Sequence, residues 1–485
     1  MAKKWALPLA VILSLSTGAA GGVYFSGTEK NPLGDFLEER EAGSKTDQRE
    51  SERAEGHLVK AEEAYNLIMK KYVEKVDKTK LEEGAIQGML STLKDPYSVY
   101  MNKETAKQFG ETLESTFQGI GAEIGMENGK IIIVSPYKDS PAEKAGLKPK
   151  DELLKIDGKS VQGRNLFETR LMIRGKKGTK VKMEIKRQGV PEPITLTIVR
   201  DEIPVDTVIS SIKESAGRDI GYMEVTSFSQ GTAEEFKKQL KELENKDIEG
   251  LVIDVRGNPG GLLVSVNEIL GLFITKDKPY MKIEARNGES QAFLTDLKKP
   301  KEYPIAVLTD KGSASAAEIL AAAMKEAGGY PTIGERTFGK GTVQQPIEME
   351  DGSSIKLTLF KWLTPDGNWI HKKGIAPTVE VKQPDYFNSH PLQVDQTMKR
   401  DMANSQIKYA QGMLKGLGFE PGREDGYLDL KTEIAIKAFQ RIEGLPVTGE
   451  LNNKTAGRLE EAIINKVRDE ENDVQLRTAL LYITK

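Results

Sequence analysis

Apolar residues near the start of the chain recur at three- and four-residue intervals, as they do along one face of a helix. Two such stripes run through Leu58, Ala61, Tyr65, Ile68 and Tyr72, and through Leu81, Ala85, Ile86, Met89, Leu90 and Leu93. Side chains at that spacing share a helix face, so the pattern predicts two helices. Asp95-Pro96-Tyr97 predicts the end of the second one. We therefore expect an N-terminal helical region over residues 57–110.

Beyond residue 115 the period changes to two, which is typical of half-buried strands. Short helical patterns lie at 141–145 and 167–174, and both end at a glycine. The strand patterns cover 130–134, 152–156, 179–187 and 194–199. This arrangement predicts a separate β-rich domain over residues 111–203.

Strands and helices alternate between about 218 and 381. The stretches 250–255 and 304–309 are continuously apolar, which is typical of parallel strands that are covered on both faces. Each leads through a glycine-containing turn into a helical pattern, so the sequence predicts an α/β core over 204–385. The predicted fold class is multidomain α/β.

Helical patterns return after Pro384-Asp385-Tyr386, and they predict a small helical domain over 400–465 and a helical tail over 466–485. An apolar stripe in the tail consists of Val474, Leu476, Leu480, Leu481 and Ile483. Exposed apolar stripes usually pack against a partner. Neither this tail nor the N-terminal helices have an obvious core of their own, so we expect a homodimer that weakens when residues 472–485 are deleted.

Residues 1–26 have the features of an export signal. Lys3 and Lys4 precede an uncharged, largely apolar stretch that ends in small residues. The stretch is also long enough to span a bilayer, so a cleaved signal peptide and a retained membrane anchor both stay open. Residues 27–56 are dense in charge and predict a solvated linker. In either case we expect the remainder to act outside the cytoplasm.

Composition narrows the possible functions. Hydrophobic residues make up 38% and charged residues 29% of the chain, which excludes a polytopic membrane protein. Lys and Arg number 70 against 73 Asp and Glu, a net charge of -3, which argues against a nucleic-acid-binding protein. Cysteine is absent, which excludes thiolate metal sites and cysteine nucleophiles. The three histidines, His57, His371 and His390, leave few candidate bases for a Ser-His-Asp triad.

Ser315 follows the predicted strand 304–309 and precedes a helical segment that begins at Ala316. A serine at such a turn exposes its hydroxyl, and the free backbone amides of the first helical turn can receive an oxyanion. Ser315-Ala316-Ala317-Glu318 is also a capping box. A serine that merely caps the helix therefore remains the alternative.

Lys340 lies between Gly339 and Gly341, and glycines allow a close backbone approach that buries the lysine between them. A desolvated lysine has a lowered pKa and can act as general base towards a serine, so no histidine is needed. Gln344 could orient the ammonium or a substrate amide. The alternative is a phosphate-binding loop, since Gly334 has the required spacing, but Gly341 stands where such a loop needs Ser or Thr.

A glycine-rich segment, Asp254-Val255-Arg256-Gly257-Asn258-Pro259-Gly260-Gly261, follows the buried strand 250–255. Such a segment frees backbone amides and is suited to completing an oxyanion hole. An ordinary tight turn between a strand and a helix is the alternative.

Together, three segments resemble the carboxyl-terminal processing peptidases, the S41 family of serine proteases. These segments are 254–261, Gly312-Ser313-Ala314-Ser315-Ala316 and Phe338-Gly339-Lys340-Gly341-Thr342-Val343-Gln344, and 369–377 fits the end of that family's core. Ala317 departs from the family, in which many members have Ser. The resemblance implies a core of the ClpP/crotonase type and no cofactor or metal. It further implies Ser315 as nucleophile, Lys340 as general base, Gln344 as third member, and oxyanion amides from Ala316, Gly260 and Gly261.

Phe117-Gln118-Gly119-Ile120-Gly121-Ala122 and the strands after it look like a PDZ domain, inserted between the N-terminal helices and the core. In such domains a glycine loop binds the carboxylate of a peptide, whose chain pairs with the adjoining strand. The resemblance thus implies peptide binding at Gly119, Ile120 and Gly121, with an ordinary glycine hairpin as alternative. Arg174 is a candidate gating residue, although an arginine at a helix end is usually solvated.

Residues 404–465 resemble a small three-helix peptidoglycan-binding domain. The resemblance is carried by Gly426-Tyr427-Leu428-Asp429, Thr432, Ala438-Phe439-Gln440, Gly444-Leu445, Gly449 and Thr455. Whether this domain binds glycan or serves dimerisation stays open, which makes peptidoglycan a candidate partner.

These features together predict an exported serine endopeptidase that recognises unstructured carboxyl-terminal tails and cleaves nearby bonds by a Ser-Lys dyad. One alternative is a catalytically silent cell-wall scaffold, against which the presence of Ser315, Lys340 and the glycine-rich segment argues. Another is an acyl-CoA enzyme on the crotonase fold, which should carry an acidic catalytic pair and no PDZ domain.

Overall fold

The computed structural model describes residues 58–485, apart from gaps at 114–115, 128–129, 137–139, 149, 165–168, 170–171, 188–189, 191, 205, 390–391, 393 and 395. The predicted export segment and charged linker lie outside the described residues, as do four of the eight residues of the helix predicted over 167–174. Within the described part of the chain, no helix has the length and apolarity needed to cross a membrane.

Two helices open the N-terminal region, and neither contains a residue that is buried by the described part of the chain. They are α1 (Val59–Lys71) and α2 (Lys78–Ser91). Asp77 caps α2, because its carboxylate accepts hydrogen bonds from the backbone amides of Thr79 and Lys80. A short strand and a third helix follow as β1 (Val99–Met101) and α3 (Lys103–Leu113).

The next domain consists of short strands around a core of branched aliphatic residues such as Ile133, Val181 and Ile185. Its elements are β2 (Thr116–Gly119), β3 (Ala122–Glu127), β4 (Lys130–Pro136), α4 (Pro141–Lys144), β5 (Glu152–Ile156), β6 (Lys159–Ser160), β7 (Lys180–Lys186), β8 (Ile194–Val199) and β9 (Asp201–Pro204). The sheet has the order β3-β4-β5-β7-β8, with β6 beside β5, while β2 pairs with β9. Strand β3 thus lies at a sheet edge.

A mixed sheet of six strands forms the centre of the largest domain. In spatial order it contains β10 (Val208–Ser215), β11 (Arg218–Val225), β12 (Gly250–Asp254), β15 (Ile305–Thr309), β16 (Thr332–Gly334) and β19 (Val379–Glu380). All pairs after β10–β11 are parallel. Every residue of β12 and β15 is buried, as their continuous apolar runs predict.

Helices cover one face of this sheet. They are α5 (Thr232–Glu244), α6 (Leu263–Leu270) and α7 (Ala316–Ala322), and they pack around Leu251, Ile253 and Val307. A second, antiparallel sheet contains β13 (Met281–Ala285), β14 (Ser290–Phe293), β17 (Thr342–Glu348) and β18 (Ser354–Leu363).

Strand β1 joins this second sheet by pairing with β18, so that Tyr100 lies opposite Ile355. The sequence pattern does not predict β1, because three residues are too few to show a period. This pairing holds the turn at residues 95–98 against the core.

The C-terminal part begins with three helices around a buried core that includes Ile407, Phe439 and Leu459. They are α8 (Ser405–Gly416), α9 (Leu430–Ile442) and α10 (Asn453–Arg468). The chain then returns to the mixed sheet as α11 (Val474–Ile483). The predicted multidomain α/β fold with helical regions at both ends is confirmed.

The tail has a core after all, and our expectation that it lacks one is wrong. Leu476, Ala479 and Ile483 of α11 are buried against the second face of the mixed sheet, beside Val252 and Leu308. An apolar stripe shows that a helix is covered, but it does not show which surface covers it. The homodimer stays a prediction, and its argument now depends on α1 and α2.

Candidate active site

Two loops that the sequence singles out leave neighbouring parallel strands at the same edge of the mixed sheet. Strands β12 and β15 pair with Asp254 opposite Leu308, so their carboxyl ends meet, which is where α/β sheets bind ligands. The glycine-rich segment follows β12, and the turn that contains Ser315 follows β15. The amide of Ala314 donates to the carbonyl of Asn258 at 2.9 Å, which joins the two loops directly.

Ser315 caps α7 in a strained backbone conformation, with φ 55° and ψ -114°. A positive φ in a serine costs about 1–3 kcal/mol and persists where the surrounding structure enforces it. The amide of Ser315 donates to Glu318 Oε2 at 3.0 Å, which is the carboxylate half of the predicted capping box. Ala316 is the first residue of α7, so its amide has no acceptor within the helix.

Ser313, two residues earlier, has a structural role. It is fully buried, and its hydroxyl donates to the carbonyl of Val255 at 2.7 Å. It also accepts a hydrogen bond from the amide of Asp310 at 3.0 Å. These contacts fix the turn and leave Ser315 as the serine that faces a cavity.

Gly260 and Gly261 occupy positions where a side chain would collide with the backbone. A Cβ atom on Gly260 would lie 2.7 Å from the Cβ of Ser315, and one on Gly261 would lie 2.1 Å from the carbonyl oxygen of Phe228. The amide of Gly260 donates to Asn258 Oδ1 at 2.8 Å. This bond corrects our expectation that both glycines supply oxyanion amides, because the amide of Gly260 is already engaged.

The amides of Gly261 and Ala316 make no hydrogen bond within the described part of the chain. Both residues line the same cavity as Ser315. They are therefore the candidate pair of oxyanion donors.

Lys340 follows β16 and precedes β17, in a loop that packs tightly against the backbone of residues 371–374. A Cβ on Gly339 would lie 2.9 Å from the amide nitrogen of Gly374. The carbonyl of Lys340 accepts the indole N–H of Trp362 at 2.8 Å. The Nζ atom of Lys340 lies 4.9 Å from the centre of the Tyr97 ring.

The pKa of Lys340 is lowered to about 8. Burial is the largest cause, since it disfavours the charged ammonium, and the positive charge of Lys356 acts in the same direction. Asp95 and Glu318 oppose the shift without cancelling it. The desolvated lysine expected from the flanking glycines is thus present.

Glu318 was expected only as a capping residue, yet its carboxylate joins the serine turn to the lysine loop. Oε1 accepts the hydroxyl of Thr337 at 2.6 Å and the amide of Gly339 at 2.7 Å. Oε2 accepts the amides of Ser315 at 3.0 Å and Lys340 at 2.8 Å. The side chain is fully buried. The three-residue spacing between Ser315 and Glu318 predicts the capping bond. The bonds of Glu318 to the lysine loop depend on residues about 20 positions further along the chain.

Gln344 lies on β17 and lines the same cavity as Ser315 and Lys340. Its Nε2 donates to Thr342 Oγ1 at 2.9 Å and to Thr358 Oγ1 at 3.1 Å. The cavity has a volume of about 170 Å³. Its remaining walls are mostly apolar: Phe109, Pro259, Leu262, Leu263, Ile319, Val343 and Trp362. A space of this kind can exclude water around an acyl group.

The predicted peptide-binding residues lie in the β-rich domain, and the described lining of the cavity includes none of them. Gly119 ends β2, and Ile120 is buried with its carbonyl accepting the amide of Ala142 at 2.7 Å. Gly121 has φ 73° and packs on Ser140. These contacts hold the glycine loop at the start of the edge strand β3.

Arg174, the candidate gating residue, is half-buried between Ile173 and Gly175. The amide of Gly175 donates to the carbonyl of Gln118 at 3.3 Å. The sequence analysis missed Arg200, which is buried and donates to the carbonyl of Ile173 at 2.7 Å. Arg200 thus fixes the backbone that carries Arg174.

Comparison with known proteins finds four matching family models. They are the Activating protease CtpB N-terminal domain over 15–105, a PDZ domain over 118–198, Peptidase family S41 over 219–381 and a Putative peptidoglycan binding domain over 403–459.

Similar proteins match over nearly the whole chain. The carboxy-terminal processing protease CtpB of Bacillus subtilis (strain 168) is 56% identical over 466 residues, covering 95% of this chain and 97% of that protein. CtpA of the same organism is 45% identical over 438 residues, covering 90% and 92%. Among solved structures, the photosystem II D1 C-terminal processing protease shares 27% identity with a TM-score of 0.41, covering 66% of this chain and 92% of that one.

Proposed function

Since this chain belongs to the carboxy-terminal processing proteases of peptidase family S41, we propose that it cleaves exported proteins near their carboxyl termini by a Ser-Lys dyad. One observation carries the proposal. Ser315, Lys340 with its lowered pKa, and the amides of Gly261 and Ala316 meet at one cavity. A nucleophile, a base and an oxyanion site are the parts that peptide hydrolysis requires.

In the first step the neutral amine of Lys340 accepts the hydroxyl proton of Ser315 while Oγ attacks the scissile carbonyl carbon. The carbonyl oxygen takes the negative charge and receives hydrogen bonds from the amides of Gly261 and Ala316. The ammonium of Lys340 then protonates the leaving amine, the C–N bond breaks, and an acyl ester remains on Ser315.

In the second step a water molecule attacks the ester and gives its proton to Lys340. The ester C–O bond breaks, Ser315 regains a proton from Lys340, and a new carboxyl terminus is released. At pH 7 a base with a pKa of about 8 is neutral in roughly a tenth of the molecules, far more than an ordinary lysine. Burial therefore makes Lys340 usable as a base.

The β-rich domain supports recognition of carboxyl termini in this proposal. A peptide adds as a further strand to the edge strand β3, and the loop at Gly119, Ile120 and Gly121 receives its terminal carboxylate. We assign to Arg174 a change of partners between a resting and an aligned state of the dyad. A bound terminus favours the aligned state if it binds that state more tightly.

The proposal also covers the location of the enzyme and its contact with the cell wall. The basic and apolar segment at 1–26 supports export, with the enzyme either released or anchored in the membrane. The match of residues 403–459 to a peptidoglycan-binding model supports the cell wall as a contact.

Ser315→Ala tests the dyad. The variant should lose proteolysis of an unfolded protein substrate while it stays folded, because loss of a cap costs about 1 kcal/mol. Lys340→Arg should also be inactive, since a guanidinium does not release its proton at working pH. Ser313→Ala is the matched control, and it should lower stability but retain activity. Full activity of Ser315→Ala would overturn the dyad.

A further inference from the structure

The turn at residues 95–98 belongs to the N-terminal region, yet it contacts the candidate active site. Asp95 Oδ2 accepts the hydroxyl of Thr358 at 2.6 Å and that of Ser98 at 2.6 Å. The amide of Thr358 donates to Ser98 Oγ at 3.0 Å. Thr358 lies on β18 and is the residue that also accepts from Gln344.

The chemistry of these groups fixes the direction of each hydrogen bond. An ionised carboxylate can only accept, so Thr358 must donate its single hydroxyl hydrogen to Asp95. The lone pairs of that hydroxyl then accept one N–H of Gln344, and Thr342 accepts the other. With both N–H groups engaged, Gln344 can offer the cavity only its carbonyl oxygen.

Asp95 is ionised in this setting. Burial alone would raise its pKa, but the interactions that lower it, led by the hydrogen bonds from Ser98 and Thr358, together outweigh burial. The pKa of Asp95 therefore lies below its ordinary value. The charged groups that face Lys340 are Lys356, Asp95 and Glu318. The ring of Tyr97, from the same turn, lies under the Lys340 ammonium.

We propose that Asp95 is a positioning residue of the catalytic centre, which acts through Thr358 to hold the Gln344 carbonyl oxygen towards Lys340 and the substrate. The inference rests on the proposed dyad function. It makes the N-terminal region a component of the active site, since a residue at position 95 sets the orientation of a side chain on β17.

Asp95→Asn and Thr358→Val test this inference in the full chain. Asparagine can donate to Thr358 and reverse the hydroxyl, whereas valine removes the hydroxyl without changing the shape. Each variant should lower kcat by about 10- to 100-fold with little change in KM, since misplacement of a group costs about that much. Asp77→Asn is the matched control, because Asp77 is an exposed cap in the same region, and it should behave as wild type.

Two further readouts separate positioning from loss of structure. In a Gln344→Ala background, and at a pH above the rise of activity where Lys340 is already neutral, Asp95→Asn should cause no additional loss of kcat, because the residue it orients is gone. Asp95→Asn should also move the rise of activity to lower pH, because it removes a charge that raises the pKa of Lys340, whereas Thr358→Val should leave that rise in place. Thermal unfolding of each variant shows that it is folded.

The inference is overturned if Asp95→Asn matches the Asp77→Asn control, if Thr358→Val keeps wild-type kcat, or if the losses at Asp95 and Gln344 simply multiply. Failure of the underlying dyad has a different signature. Ser315→Ala would then remain active, whatever the result at Asp95.

Discussion

The surroundings of Lys340 favour its neutral amine over the charged ammonium more than water does. The same burial affects both catalysis and the stability of the fold. The pKa of Lys340 is about 8 in the folded protein and near 10.5 in an ordinary lysine. Below pH 8 the lysine is charged in both the folded and unfolded states, so folding then carries the full cost of burying the charge. That cost falls as pH rises from about 8 to 10.5, because the folded protein releases the proton first.

Lys340→Met should therefore be inactive yet more stable than wild type at pH 7, by about 2 kcal/mol after allowance for partial solvent screening. The advantage should shrink at pH 10, which denaturant unfolding at the two pH values would measure.

Wild-type activity should rise through about pH 8 as the amine of Lys340 loses its proton. Activity that is flat between about pH 6 and 9 would contradict Lys340 as base.

At this scale the sequence predicts which residue types meet, but not every bond between them. Ser315, Lys340 and Gln344 were expected from short motifs, and they line one cavity. The engagement of the Gly260 amide by Asn258 depends on backbone angles that a sequence does not display. The hydrogen bond from Thr358 to Asp95 joins two segments that are far apart along the chain, so no local pattern could indicate it.

Among the elements, helix α11 shows most clearly how a distant segment supports the site. Asp473, its N-cap, accepts from Arg256 at 2.8 Å, and Arg256 lies in the glycine-rich segment after β12. The hydrogen bond and charge of Arg256 keep the pKa of Asp473 below its ordinary value despite burial, which acts to raise it. The helix thus anchors the backbone that leads to Gly261, the candidate oxyanion donor.

Leu476→Ala and Leu481→Ala form a matched pair on α11. Leu476 is 4% exposed in the core, whereas Leu481 is 54% exposed. The first variant should lower the free energy of unfolding by about 2–4 kcal/mol, because it opens a cavity. The second should change it by less than about 0.5 kcal/mol. Equal effects in denaturant titrations would mean that α11 does not pack on the sheet in solution.

Continuous apolar runs predict β12 and β15 well, because every residue of these two strands is buried. Such a pattern gives no information on which surfaces meet. The strand pattern therefore locates the core, whereas the pairing of β1 with β18 and the docking of α11 depend on contacts between remote parts of the chain.

For the whole molecule, the proposed gate concerns the β-rich domain and the core together. A peptide substrate too short to reach β3 should be cleaved faster when a non-cleavable peptide with a free carboxyl terminus is added, and Arg174→Ala should change that response. If the domain merely tethers substrates and raises their local concentration, the added peptide should leave the rate unchanged or lower it. Initial rates with and without the peptide separate the two.

Assembly is the second prediction at this scale. The described part of the chain buries no residue of helices α1 and α2, and it leaves Leu67 and Met89 more than half exposed. We expect a second copy to cover these helices. Sedimentation should give a dimer for wild type and a monomer for Leu67→Glu combined with Met89→Glu, while Lys70→Glu, a charge change on α1, should stay dimeric. A monomeric wild type would remove the idea.

The docking of α11 also has a consequence for the timing of folding. Its residues enter the core roughly ninety positions after β19, so the face around Val252 and Leu308 stays uncovered while the intervening domain is synthesised. At about 5–20 residues per second that delay lasts several seconds. Contacts between such distant segments form late. We therefore expect this face of the mixed sheet to be covered, and the fold of the core to be complete, only after α11 has been made.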